Sequence, residues 1–258
     1  MPATDGSIRF EFSPPGHLGP FRAAVSERGG GVSDGPYRSL NVGRTLPDEP
    51  ARVRENEQRI LAALRLPDAV ARVRLEHGAR ILTVGEPGFY GPADALLSDR
   101  ADLVLWFTVA DCFPVTIAAG RWRGHGHCGW RSTAAGLPER LVAALAAASE
   151  VPAKGQRAWI GPGIGPCCYP VGEDVAARFP AAMARQDGER RLDLGAEIAR
   201  RLRAAGLPAA GIAASGRCTS CHPDRFFSHR RDGSPSGRMA ALSWPAALAS
   251  TGRPSSSR

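Results

Sequence analysis

DLVLWFTVADCFPVTIAAGRWRGHGHCGWRS, residues 102–132, is the stretch around which the rest of the chain is organised. It opens with Leu103, Val104, Leu105, Trp106, Phe107 and Val109, an apolar run too short to cross a bilayer and rich in β-branched and aromatic types. Such a run, bounded by polar residues, is expected to form a strand buried on both faces. At its end stand Asp111 and Cys112, then Pro114 and a second apolar run, Val115 to Ala119. A third segment carries His125, His127, Cys128 and Trp130, and a period of two puts both histidines on one face with Cys128 on the other. One strand end thus offers a carboxylate and a thiol, and the next segment but one offers imidazoles.

Upstream, Ile8, Phe10 and Phe12 alternate as a half-buried strand does. Ser26 to Gly43 is a glycine-dense loop in which Arg28 is a ready anion contact. Asp48 is expected to cap a helix with Pro50 in its first turn and Val53, Ile60 and Leu64 on one face; Asn56 is the unusual polar residue near that face. Val70 to Leu75 and Arg80 to Val84 read as strands flanking Glu76-His77-Gly78, and residues 85–98 as a Gly/Pro/Asp-rich loop. Downstream, the pattern predicts a helix from Thr133 to Ala148 and a short strand from Gln156 to Ile160. That strand runs into the rigid turn GPGIGPCCYPVG, and a further helix is capped by Asp193 and closed by Gly206. Strands and helices alternate without a clean βαβ period, so the expected class is α+β. Residues 1–20 are read as an N-terminal segment with the first strand, 21–249 as one catalytic domain, and 250–258 as a disordered tail.

Composition narrows the function classes. The chain has 258 residues, 43% of them hydrophobic and 22% charged, as in ordinary globular proteins. No secretory leader and no run of about 20 apolar residues is visible, so a cytoplasmic location without membrane association is expected, with the six cysteines reduced, metal-bound or catalytic. The net charge of +8 rests almost wholly on arginine spread along the chain, Lys154 being the single lysine. No arginine cluster is interleaved with aromatics, so nucleic acid is not the expected partner.

Two groups of cysteines and histidines need weighing. Cys218-Thr-Ser-Cys221-His222 fits a haem-attachment pattern that belongs to exported proteins, and Cys167-Cys168 lacks the spacing to complete a four-cysteine zinc site. These four cysteines are therefore expected to be packing residues. His77, Cys112 and His127 come from three separated segments, as ligands of catalytic metal sites do, leaving one position open. A Cys-His₂ set suits zinc, and copper also accepts it. Without a metal, Cys112 beside His127 could instead be nucleophile and base of a cysteine hydrolase. His125, on the same face as His127, is the rival ligand.

The chain also resembles the laccase-domain family, once labelled multicopper polyphenol oxidoreductases and now associated with purine nucleoside phosphorylase activity; some relatives are described as peptidoglycan-editing factors. The matching pieces are R-x-GG-V-S at Arg28 to Ser33, S-L-N at Ser39 to Asn41, His77-Gly78, Ala110 to Cys112, and H-x-G-W-R at His127 to Arg131. Gly161 to Tyr169, Cys218-Thr219, Phe226 to Arg231 and Gly237-Arg238 extend the match. Departures occur at Leu75 (usually Gln), Cys128 (usually Ala), Ser132 (usually Gly) and His229 (usually Tyr). The resemblance implies a layered sandwich with mixed β-sheets between helix layers, and zinc on His77, Cys112 and His127. The activity it implies is phosphorolysis of adenosine, inosine and methylthioadenosine, with adenosine deamination beside it. Nucleoside and phosphate are then the partners of a monomer or weak oligomer. Arg28 and Arg230 are expected to anchor phosphate, Asn41 to contribute to substrate binding, and Asp111 to shuttle a proton or orient the metal's surroundings. A peptidoglycan amidase built on Cys112 and His127 is the alternative. A four-copper polyphenol oxidase would need many more imidazoles than the six present.

Overall fold

The computed structural model describes residues 7–186 and 188–250; the expected tail from 251 onward lies outside them. The strands are β1 (Phe10–Phe12), β2 (Phe21–Ser26), β3 (Val70–Arg74), β4 (Ile81–Thr83), β5 (Gly88–Pro92), β6 (Ala95–Ser98) and β7 (Val104–Val109). After them come β8 (Phe113–Ala119), β9 (Trp122–Cys128), β10 (Arg157–Ile160), β11 (Met183–Gln186), β12 (Glu189–Leu192), β13 (Ile212–Ala214) and β14 (Met239–Pro245). The helices are α1 (Pro50–Leu64), α2 (Trp130–Ala134), α3 (Leu137–Ser149), α4 (Glu173–Ala176), α5 (Leu194–Ala204) and α6 (His229–Asp232). Two six-stranded sheets, ordered β1-β2-β14-β7-β3-β5 and β13-β10-β8-β9-β6-β4, each mix parallel and antiparallel pairs. This is the layered α+β sandwich that the sequence led us to expect.

β7 shows why its apolar run is continuous. Val104 and Trp106 pack outward with Ile60 and Leu64 of α1, while Leu105 and Phe107 pack with Val73 and Leu96 in the space between the sheets. On the far side, α3 lays Leu141, Val142 and Leu145 over Val115 and Ile117 of β8. Its close approach depends on glycine in β9: a Cβ at Gly124 would meet Leu141 Cδ1 at 2.8 Å. The layers therefore run α1, first sheet, second sheet, then α3 with α5.

Several local expectations need correction. The stretch 85–98 holds two strands; β5 is an edge strand, where Pro92 costs no ladder bond, and β6 lies inside the second sheet. The helix expected over 133–148 is two, interrupted at Gly136 (φ +82°) before α3 starts at Leu137 with Pro138 in its first turn. Asp48 does not cap α1: Glu49 holds that position, and the Asp48 carboxylate accepts from Ser33 Oγ and Asn41 Nδ2. Asp193 caps α5 as expected, accepting from Ala196 N at 2.9 Å. β3 and β4 fall in different sheets, so the turn that carries His77 crosses from one sheet to the other.

Candidate active site

Two sheet-to-sheet crossings and one strand end build the site. The first crossing, β3 to β4, carries His77; the second, β7 to β8, carries Asp111 and Cys112. β9 pairs antiparallel with β8 so that Cys128 sits opposite Phe113 and His127 opposite Pro114, which brings His127 to the mouth of the second crossing. The ligand atoms of His77, Cys112 and His127 all lie within 4.8 Å of one another, and the two imidazole rings meet edge-on at 5.0 Å. His127 Nδ1 is buried without a hydrogen-bond partner. A buried ring nitrogen in that state is costly unless a bound group from outside the protein satisfies it. Two imidazoles and a thiol, one of them orphaned, fit a borderline-soft metal ion.

Both turns hold a non-glycine residue in the left-handed region, His77 at φ +60° and Asp111 at φ +84°, a conformation the surroundings must impose. For His77 that force comes from Asp94, a buried carboxylate accepting from His77 N at 2.6 Å and Gly78 N at 2.8 Å, while its own carbonyl accepts from His127 N. Asp94 escaped the sequence reading, since nothing local marks an aspartate 17 positions downstream as the clamp of a turn. For Asp111 the partners are Thr219 Oγ1 at 2.6 Å and Arg230 N at 2.7 Å, so both carboxylate oxygens are engaged. Gly129 completes the enclosure: a Cβ there would stand 2.9 Å from Cys112 Sγ. His125, the rival ligand, is a satisfied core residue. Its ring bonds Thr116 Oγ1 at 2.9 Å and Ala241 O at 3.2 Å, and stacks on Phe107.

Burial pushes the Cys112 thiol up to about 12, with the Asp111 carboxylate adding to it, and pushes the His127 imidazole down to about 3, with His77 adding to it. Burial lowers His77 as well. The protein alone therefore favours neutral groups here. A thiolate–imidazolium pair, the requirement of a cysteine nucleophile, has no support from these surroundings, whereas a bound cation would favour the thiolate.

His77 and Cys112 stand between two cavities of 190 and 490 Å³ and line both, together with Arg131 and His229, while His127 lines the larger one. Asp111, Tyr169 and Arg230 belong to the smaller, Arg238, Trp106 and Phe89 to the larger. Of the expected phosphate anchors, Arg230 lines the smaller cavity with its guanidinium over the Tyr169 ring and one bond to Pro170 O. Arg28 has a different task. Its fork is spent on Arg38 O and Pro223 O, its plane lies on Phe227, and it lines neither cavity. Asn41 is buried away from both cavities, bonding Asp48 and accepting from Arg238 N, so it reaches the site through Arg238. Arg131 and Arg238 are the guanidiniums that the motifs contained without a role. Arg131 stacks on Trp130 and Arg238 donates to Ser236 O and Gly237 O; among the described residues neither forms an ion pair.

The chain matches the family described as multi-copper polyphenol oxidoreductase laccase over residues 22–246. It is 39% identical over 239 residues to a protein of Xylella fastidiosa (strain Temecula1) named purine nucleoside phosphorylase, covering 84% of this chain and 88% of that one. A protein of Escherichia coli (strain K12) named purine nucleoside phosphorylase YfiH is 37% identical over 231 residues, covering 86% of this chain and 93% of its own. Among solved structures, YlmD from Geobacillus stearothermophilus superposes with a TM-score of 0.85 at 32% identity, covering 90% of this chain and 94% of that one.

Proposed function

The chain belongs to the multi-copper polyphenol oxidoreductase laccase family, and from that premise we propose that it is a zinc-dependent purine nucleoside phosphorylase, acting on adenosine, inosine and methylthioadenosine, with adenosine deamination as a side activity. The observation that carries the metal is the convergence of His77, Cys112 and His127 on the wall of the cleft, with His127 Nδ1 unpartnered. The names of the relatives carry the substrate class. The donors support zinc over a copper cluster. Of the remaining histidines, His125, His17 and His222 are bonded to protein atoms elsewhere, leaving only His229 at the cleft. A four-copper oxidase would need several more imidazoles.

A zinc ion, when bound, supplies Lewis-acid charge toward a substrate oxygen. The remaining work falls to the chain. Arg131 and Arg238, free of carboxylate partners, hold the phosphate dianion, and Arg230 adds charge from the smaller cavity; a guanidinium fork matches phosphate oxygens. Phe89, 65% exposed on the larger cavity, offers a face on which a purine can stack. His229, which lines both cavities, is our candidate donor of the proton that the leaving purine nitrogen needs. In phosphorolysis the C1′–N bond breaks as a phosphate oxygen bonds to C1′, giving free base and ribose 1-phosphate. Asp111, held by Thr219 and the Arg230 amide, keeps the Cys112 turn and α6 together and is a positioning residue in this scheme.

The test pits this against the cysteine hydrolase acting on peptidoglycan precursors. Metal-loaded protein should protect Cys112 from alkylation, and removing zinc with a chelator should abolish inosine cleavage, with zinc restoring it. Full activity after chelation, lost on alkylation of Cys112, would favour the hydrolase.

A further inference from the structure

The four cysteines expected to be packing residues are gathered into one cluster. Cys167 and Cys168 lie in the turn after β10, Cys218 and Cys221 in the loop after β13, and their Sγ atoms all fall within 4.8 Å of one another. Sequence spacing hid this because two backbone links zip the loops together across some 50 residues: Gly163 N donates to Arg217 O, and Thr219 N donates to Gly163 O. The short 3₁₀ turn Pro166–Cys168 then aims both adjacent thiols at Cys221, each with Sγ at 3.3 Å. Two thiolates on one zinc, with Zn–S of about 2.3 Å, stand roughly 3.8 Å apart in a tetrahedron. The two 3.3 Å separations lie closer to that value than to the ~2.05 Å of a disulfide bond.

The surroundings have the other marks of a thiolate-metal site. Gly165 N points at Cys218 Sγ at 3.2 Å, and a Cβ on Gly165 would crowd both Cys218 and Cys167 Sγ. Positive charge lies beside both loops: Arg191 bonds Cys167 O, and Arg231 bonds Thr219 O and Ser220 O. Four sulfur donors and no competing carboxylate select a soft or borderline ion, with zinc foremost.

We propose that Cys167, Cys168, Cys218 and Cys221 form a second, tetrathiolate zinc site that fastens the 163–170 turn to the 218–221 loop. Its place gives it a structural consequence: the turn carries Tyr169, a wall of the smaller cavity, and the loop carries Thr219, which holds Asp111. Binding replaces the S–H bonds by Zn–S bonds and releases the protons with no change of oxidation state, so no oxidant or reductant is needed.

The site is read separately from the His77–Cys112–His127 centre by metal counting and colour. Purified full-length protein, stripped and reloaded with cobalt(II), should take two equivalents and show an intense thiolate-to-cobalt charge-transfer band. The C218S/C221S double variant should take one equivalent, lose most of the band and keep the other centre. His77→Ala should take one and keep the band. As a check independent of either variant's folding, zinc-loaded wild type should show four thiols protected from a maleimide at the cluster and released by chelator. Two outcomes overturn the proposal: wild type that binds one equivalent, unchanged in C218S/C221S, or a non-reducing peptide map with Cys221 disulfide-bonded to Cys167 or Cys168 in the native protein.

Discussion

Two histidines on one face of β9 separate the roles of core and ligand. His127 has a buried unpartnered nitrogen; His125, two residues earlier, has both nitrogens bonded. Alanine at His77, Cys112 or His127 should each remove the metal of that centre and turnover together, as metal analysis beside an activity assay would register. His125→Gln should keep the metal. Its effect belongs to pH. Burial holds the His125 imidazole at about 4 against 6.5 in the unfolded chain, so on acidification the unfolded state takes up the proton first. Stability from this residue is full above about 6.5 and is lost as pH falls toward about 4, on the order of 3 kcal/mol in all. Urea midpoints measured at neutral and at mildly acid pH should therefore converge more in His125→Gln than in wild type. Asp94→Asn loses the charge that clamps the His77 turn, and metal affinity at that centre should weaken by about 10–100-fold, as removal of outer-shell partners does. Competition with a chromogenic chelator would measure it.

Strand β9 is where packing and chemistry divide, and its glycines tell them apart. Gly124 faces Leu141 of α3, whereas Gly129, just beyond the strand, faces Cys112 Sγ. Gly124→Ala should cost about 1–3 kcal/mol of stability by overpacking, with metal content unchanged. Gly129→Ala should do the opposite, lowering metal content more than the melting temperature, because the intruding methyl meets a ligand atom. Thermal melts paired with metal analysis on the two variants give the comparison, and equal losses of metal in both would contradict it. These elements also mark how far the sequence could be read. β7 and α5 were legible because an unbroken apolar run and an Asp cap with a closing glycine are local signals. β5 and β6 were not, since Gly88, Pro92 and Asp94 read as loop until neighbouring strands supply the pairing. β14, central in the first sheet, follows the turn signal Asp232 to Gly237, but its short, alanine-rich Met239 to Trp244 run fits a buried helix segment as well as a strand until its neighbours pair with it.

On the scale of the whole molecule, two sheets face each other, and two of the chain's crossings between them, β3 to β4 and β7 to β8, bring His77 and Cys112 to His127. The donors themselves stood out in the sequence as residue types on three separated segments, and the resemblance supported their grouping. What holds them did not, because Asp94, Thr219 and the four-cysteine cluster act through partners that only the tertiary fold supplies. The same holds for the anion site. Arg28 looked apt in its glycine-rich loop but spends its fork on backbone carbonyls, while Arg131 and Arg238 face the cleft. Arg238→Lys keeps the charge and loses the fork, so the phosphate KM should rise roughly tenfold to a hundredfold, the worth of one charge-assisted bond of about 1.5–3 kcal/mol. Arg28→Lys should leave it nearly unchanged, and steady-state kinetics at varied phosphate would show either pattern. The most direct measurement is the release of hypoxanthine from inosine by zinc-loaded protein as phosphate is varied from none upward. The account predicts no release without phosphate, and saturable release with an equal amount of ribose 1-phosphate when it is present. Hypoxanthine appearing at the same rate with and without phosphate, accompanied by free ribose, would contradict it.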